Sequence, residues 1–200
     1  MSNALQRDLA KLVANMDAAA AERGHGPYAQ HFHIMPPTGW LNDPNGLCQA
    51  DGVFHAYFQY APFDANGGVK MWGHATSRDL MNWEYVGAPL LPDEPFDCHG
   101  VYSGSALVED GRIRVLYTGN VKLPDADGVY DYVNTGRRAD TVYVESVDGQ
   151  TLGQKRVVLA SEDYPEDLTC HVRDPKVWRD ADGRYHMVLG ARRRVDGPHV

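Results

Sequence analysis

The stretch Asp43-Pro44-Asn45-Gly46-Leu47-Cys48-Gln49-Ala50-Asp51-Gly52-Val53-Phe54-His55-Ala56-Tyr57-Phe58-Gln59 reads as a strand, an Asp-Gly turn and a returning strand. The same plan recurs from Ser103 through Asp110-Gly111 to Thr118, and again from Asp174 through Asp182-Gly183 to Leu189. Two further strands follow the first hairpin, Met71 to Thr76 and Trp83 to Val86, and two follow the second, Thr141 to Val147 and Arg156 to Leu159. The three Asp-Gly turns lie 59 and 72 residues apart, longer than a kelch-like period of about 50 but suited to four-stranded units with loop insertions. A β-propeller explains recurring quartets that share one turn; a sandwich or barrel is the alternative and requires no such recurrence.

In a propeller the first strand of each unit lines the central axis, so position in the repeat maps to position around a funnel. Asp43, Ser103 and Asp174 precede their turn glycines by nine, eight and nine positions, which predicts equivalent places at one end of three inner strands. Gln59 lies seven residues after Gly52, so the returning strand brings it back beside Asp43. Within Trp40-Leu41-Asn42-Asp43-Pro44-Asn45-Gly46, Asp43 is flanked by a proline that restricts the backbone and an Asn-Gly turn signal. That frame suits a directed nucleophile, and it equally suits an ordinary Asx turn.

Composition narrows the class. The chain has 200 residues, 43% hydrophobic and 23% charged, as in a soluble globular protein of one domain or a large part of one. A formal charge of −8 would repel a phosphate backbone, and no run of Lys and Arg interleaves with aromatics, so a nucleic-acid partner is not expected. A neutral substrate fits better, and oligomeric state is not legible. Cys48, Cys98 and Cys170 are odd in number and widely spaced, which predicts free buried thiols rather than a disulfide framework or zinc site. Residues 1–13 carry Arg7, Asp8 and Lys11 and no signal-peptide core, and no apolar run reaches transmembrane length, so a cytoplasmic location is expected.

Ahead of the repeats, Leu5, Leu9, Leu12, Val13, Met16 and Ala20 share one stripe at a 3.6-residue period, with Ser2 or Asn3 as N-cap and Gly24 as stop. This predicts one amphipathic helix in residues 1–30, leading by a linker into residues 31–200. His31 and His33 alternate as ligands might, yet no carboxylate or Cys follows at ligand spacing, so a structural role is favoured and no metal or cofactor is expected.

Two carboxylates across a polar funnel are the usual requirement for glycosidic cleavage, and Asp43 and Asp174 are candidates for that pair. The residues then resemble a known family. Trp40 to Gly46, Phe58-Gln59-Tyr60, Trp72-Gly73-His74-Ala75, Tyr102-Ser103-Gly104-Ser105 and Arg173-Asp174-Pro175 are similar, in the same order, to the successive motifs of glycoside hydrolase family 32, the invertases, sucrose-6-phosphate hydrolases and fructanases. The resemblance runs from about His31 to Leu189. It implies an all-β, five-bladed propeller, of which about two and a half blades would be present, and a retaining mechanism with Asp43 as nucleophile and Asp174 as transition-state stabiliser. It also implies that Asn42, Gln59, Trp72, Ser103 and Arg173 bind the sugar. Arg173 has a second reading, as the ion-pair partner that orients Asp174, and both can hold. Trp72 has one in blade packing.

One departure stands beside the match. The family carries its acid/base on a Glu-Cys motif some tens of residues after Arg-Asp-Pro, and no Glu-Cys pair occurs in these 200 residues, so the chain is expected to be the N-terminal part of an enzyme. The tract Lys122 to Arg138 reads as a solvated loop near the funnel mouth, in which Arg137 and Arg138 form the nearest basic pair for a phosphorylated substrate. Three activities stay open: a β-fructofuranosidase acting on sucrose, sucrose 6-phosphate or fructans; an inverting arabinanase-type glycosidase with Asp43 as base; and a non-catalytic sugar-binding fragment.

Overall fold

The computed structural model describes residues 3–24, 26–30 and 32–194, so Ser2 and His31 lie outside the described residues. A helix, α1 (Ala4–Arg23), precedes ten strands. The first sheet is the meander β1 (Trp40–Ala50), β2 (Val53–Ala61), β3 (Met71–Ser77) and β4 (Glu84–Leu90). The second is β5 (Val101–Glu109), β6 (Arg112–Lys122), β7 (Arg137–Ser146) and β8 (Arg156–Leu159), and β9 (Leu168–Arg179) pairs with β10 (Tyr185–Arg193). Every pairing is antiparallel. The result is a propeller-type, mostly β architecture with one helix, built from the anticipated quartets.

Turn chemistry separates the three hairpins. Asp51-Gly52 has φ of 48° and 75°, and Asp110-Gly111 has 52° and 69°, the double positive φ of a two-residue turn whose twist matches the strands. The third departs from the expected equivalence. Only Gly183 has positive φ, and the connection 180–184 is closed by Gly183 N donating to Asp180 O at 3.0 Å and Asp180 N to Arg184 O at 2.9 Å. A repeat absent from the sequence reading also appears. After the third strand of each sheet, Ser77 and Ser146 donate to Asp79 and Asp148, whose carboxylates accept backbone N–H groups from the next turn. Those bonds hold both carboxyls well below the usual range.

The β2 and β3 strands are buried on both faces because each face has its own cover. Tyr57 and Trp72 join Val101, Ile113, Val115, Tyr117, Val142 and Val144 in a core between the two sheets. Their neighbours Phe58 and Met71 point the other way, into a core with Tyr60, Ala75, Leu91 and Val13 of the helix. Burying one such side chain contributes roughly 1.5–3 kcal/mol. Asn3 caps α1 by accepting from Gln6 N at 2.7 Å, and Gly24 stops it at φ 68°. The helix seats a narrower stripe than expected: Val13 and Ala20 are buried, whereas Leu5 and Leu12 are 48% and 52% exposed. Asp17 fixes the seated end by accepting from the hydroxyls of Tyr60 and Tyr85 at 3.3 and 3.0 Å. No described helix is long and apolar enough to cross a membrane. The thiols differ from the expectation of burial, since Cys98 is exposed and Cys48 and Cys170 are half-buried.

Two buried polar clusters tie the sheets together. The Lys155 ammonium contacts Asp93, the Asp97 carboxylate at 2.7 Å and Leu91 O, and Tyr117 donates to Asp97 at 2.7 Å. All three ionic side chains are nearly inaccessible. Lys155→Met should therefore cost about 3–5 kcal/mol in urea unfolding, because two carboxylates are left without their cation. A loss below about 1 kcal/mol would show that the triad is not an ionic unit.

The other cluster stacks His55, His74 and Tyr57, with His55 Nδ1 and His74 Nε2 3.0 Å apart and the Gln150 amide against His74 Nδ1. Burial, then the proximity of His55, brings the His74 pKa down to about 3, and burial lowers that of His55. The native state thus stays neutral while the unfolded chain takes up protons below about pH 6.5. Stability should fall as pH drops from about 6.5 to 4, by up to about 1.4 kcal/mol per pH unit for His74, with His55 adding in the same direction. Burial raises Asp17 and Asp97, which works in the opposite direction, and Asp79 and Asp148 act only at lower pH. Chemical unfolding at pH 7, 5.5 and 4.5 tests this, and His74→Gln should flatten the slope.

Candidate active site

Each inner strand carries an irregularity where the sequence places a site residue. In β1 the pairing steps from Leu41↔Tyr60 to Pro44↔Phe58, so Asn42 and Asp43 face the single residue Gln59. In β5 it steps from Tyr102↔Thr118 to Gly104↔Tyr117, which leaves Ser103 as the extra residue. In β9 it steps from Arg173↔Gly190 to Lys176↔Val188, so Asp174 and Pro175 face Leu189. These are β-bulges, which break the alternation of a strand and re-aim a side chain. The sequence favours them locally: Pro44 and Pro175 cannot donate to the ladder, and a Cβ on Gly104 would stand 2.0 Å from Leu116 O.

Asp174 also has φ 61°, a left-handed conformation rarely adopted by a non-glycine residue and unusual before proline. Such a residue costs on the order of 1 kcal/mol or more and persists where its surroundings hold it. Here its N–H donates to Thr118 Oγ1 at 2.9 Å.

Side chains then link strands that share no ladder. Gly104 N donates to Asn45 Oδ1 at 3.1 Å, joining β5 to β1. Ser105 Oγ donates to Pro175 O at 2.8 Å and accepts from Val177 N at 3.1 Å, joining β5 to β9. With the strand ends held, Ser103 Oγ donates to Asp43 Oδ2 at 2.7 Å. Asp43 is exposed. The Asp174 carboxylate is 43% accessible and lies 3.5 Å from Arg173 Nε. Partial burial raises its pKa, the Arg173 guanidinium pulls it down, and the Asp43 carboxylate pushes it up again. The Asp174 carboxyl therefore lies within the field of Asp43.

A cavity of about 300 Å³ opens at this point. Asn42, Asp43, Gln59 and Arg173 line it together, with Ser103 attached through Asp43 and Asp174 through Arg173. Trp72 departs from its expected place among the sugar contacts. It is fully buried one layer behind the cavity, packed against Tyr57 and Tyr117, with its indole N–H donating to Tyr102 O at 3.1 Å.

The basic pair anticipated at the mouth is also corrected. The β6–β7 ladder runs out to Lys122↔Arg137, so Arg137 and Arg138 belong to a strand rather than to a solvated loop. Arg137 is buried, its guanidinium 3.3 Å from the Tyr132 ring centre, and Arg138 pairs with Asp140 at 2.8 Å. The cavity instead contains Lys70, Lys122, Tyr130 and Tyr132, which the sequence reading did not single out as site residues. Lys70 stands two positions before Trp72, opposite the end of the strand that carries Gln59, and strand pairing alone could have found it.

The chain is similar to known proteins along most of its length. The model of the glycosyl hydrolases family 32 N-terminal domain matches residues 33–199. The sucrose-6-phosphate hydrolase of Bacillus subtilis (strain 168) is 44% identical over 165 residues, 82% of this chain and 32% of that protein. The raffinose invertase of Escherichia coli is 36% identical over 98% of this chain and 39% of its own length. The structure of sucrose-6-phosphate hydrolase from Lactobacillus gasseri superposes with a TM-score of 0.75 at 34% identity, covering 92% of this chain and 35% of that one. The chain thus spans about a third of the length of the relatives it matches.

Proposed function

Because this chain belongs to glycosyl hydrolases family 32, we propose that it carries the nucleophile and much of the sugar-binding surface of a β-fructofuranosidase acting on sucrose or sucrose 6-phosphate. In this reading residues 31–200 contribute to a five-bladed propeller, and the activity is cytoplasmic. The observation that carries it is the Ser103 hydroxyl on Asp43 Oδ2 at 2.7 Å, with Asp43 itself lining a cavity shared with Asn42, Gln59 and Arg173.

Ser103 occupies one oxygen of the Asp43 carboxylate and leaves the other to attack the anomeric carbon of the fructosyl unit. The glycosidic C–O bond breaks with its electron pair passing to the leaving oxygen, which takes up a proton. A fructosyl ester on Asp43 results. Water then attacks the same carbon from the opposite side and gives up a proton, which replaces the one taken up by the leaving oxygen; the ester C–O bond breaks with its electrons returning to the carboxylate, fructose is released and configuration is retained. Asp174, oriented by Arg173, accepts hydrogen bonds from fructosyl hydroxyls as positive charge builds on the ring. The proton for the leaving oxygen is assigned to no residue of this chain.

Asp43→Asn should preserve the fold and lower kcat for sucrose by at least about a thousandfold, since an amide of the same shape cannot form the ester. Retention of a tenth of wild-type kcat, with a contaminating invertase excluded, would remove Asp43 from that role. Ser103→Ala should cost about 1–3 kcal/mol of transition-state stabilisation, read as a drop of about five- to 150-fold in kcat/KM. An unchanged kcat/KM would mean that the hydroxyl does not assist the nucleophile. Product configuration in methanol decides between retention and an inverting base role for Asp43, and calorimetric sucrose binding without turnover would favour a non-catalytic protein.

A further inference from the structure

The cavity that holds Asp43 is cationic in an anionic chain. Lys70, Lys122 and Arg173 line it against the single carboxylate of Asp43, while the chain as a whole carries −8. Arg173 is engaged with Asp174. Among the described residues neither lysine ammonium has a carboxylate within ion-pair distance. Lys70 Nζ gives one hydrogen bond, to Gly68 O at 2.8 Å, and stands 4.9 Å over the Trp40 ring. Lys122 Nζ stands 5.1 Å over Tyr130. An ammonium has three donors, so both have donors to spare, and the aromatic faces hold their stems in place.

Two half-buried cations side by side are unfavourable in an empty site. Burial, and then repulsion from Lys122, draws Lys70 below the ordinary lysine range despite Asp64 nearby. Behind the cavity wall, the buried Arg137 guanidinium stacks on Tyr132 and adds positive potential, and its two terminal nitrogens have no hydrogen-bond partner among the described residues. A dianion placed between the lysines would relieve all of this, and a neutral disaccharide would not. A phosphomonoester suits them, being close to dianionic at neutral pH and offering oxygens in several directions to compact ammonium donors.

We propose that Lys70 and Lys122 form a phosphate subsite, so that this protein acts preferentially on sucrose 6-phosphate. The assignment rests on the glycosidase reading above. It also supplies what family similarity leaves open, since the relatives include both a sucrose-6-phosphate hydrolase and a raffinose invertase.

The test is the ratio of kcat/KM for sucrose 6-phosphate to that for sucrose, measured on the full chain as its gene encodes it. Lys70→Met and Lys122→Met should each lower the ratio about tenfold, chiefly through KM for the phosphorylated sugar, and the double variant should lower it further. Lys70→Arg should retain part of the preference, and added salt should raise KM for sucrose 6-phosphate much more than for sucrose. A ratio unchanged in the double variant, or KM rising alike for both sugars, would overturn the subsite. If the wild type cleaves neither sugar, the glycosidase reading fails separately, and calorimetric titration with glucose 6-phosphate decides the subsite. Binding by the wild type that is lost in the double variant upholds it, and absent or equal binding sinks it.

Discussion

The site depends on a substitution of side chains for backbone at the ends of β1, β5 and β9. A bulge turns a chosen residue into the funnel, but it also leaves ladder N–H and C=O groups unpaired, and such groups cannot stay orphaned when buried. Asn45, Ser105 and Thr118 resolve this by bonding to Gly104 N, to Pro175 O and Val177 N, and to Asp174 N. Each of those bonds crosses from one hairpin to the next. The disruption that re-aims Asp43, Ser103 and Asp174 thus also locks the three strands in register, and the geometry of the candidate site and sheet assembly become one problem.

Behind this polar seam the apolar core makes the arrangement rigid. Trp72 is the clearest case, since its ring lies between Tyr57 and Tyr117 and its one polar atom is spent on Tyr102 O. Gly46 lets β1 approach that ring, as a Cβ there would meet Tyr57 at 2.8 Å and Trp72 at 3.1 Å. The motif residues around the cavity therefore divide into those that face it and those that hold its wall, although the sequence lists them without distinction.

Charge is distributed on the same logic. The buried Lys155 ammonium is matched by the Asp93 and Asp97 carboxylates between the sheets. Lys70 and Lys122, which have no carboxylate within ion-pair distance among the described residues, line the cavity that holds Asp43. An overall charge of −8 conceals this local reversal. Net charge averages over a surface on which a few half-buried ammonium groups locally outweigh distant carboxylates.

Much was legible in the chain itself. The helix with its Asn3 cap and Gly24 stop, the strand quartets, and the placing of Asp43, Ser103 and Asp174 at equivalent points all follow from hydrophobic period and from residues that only certain turns accept. Gln59 beside Asn42 and Asp43 follows from hairpin register. Other features depended on where an element ends and what lies behind it. The β6–β7 ladder extended past its apolar residues and drew Arg137 into a buried stack on Tyr132, Trp72 went behind the wall, and Lys70 and Lys122 met across two sheets. Sequence determined which side chains alternate and where the chain must turn, because those are local constraints on φ and ψ. Tertiary structure alone decided which polar groups share a cavity, because that depends on the packing of sheets joined only by side chains, and no periodicity along the chain encodes the distance between them.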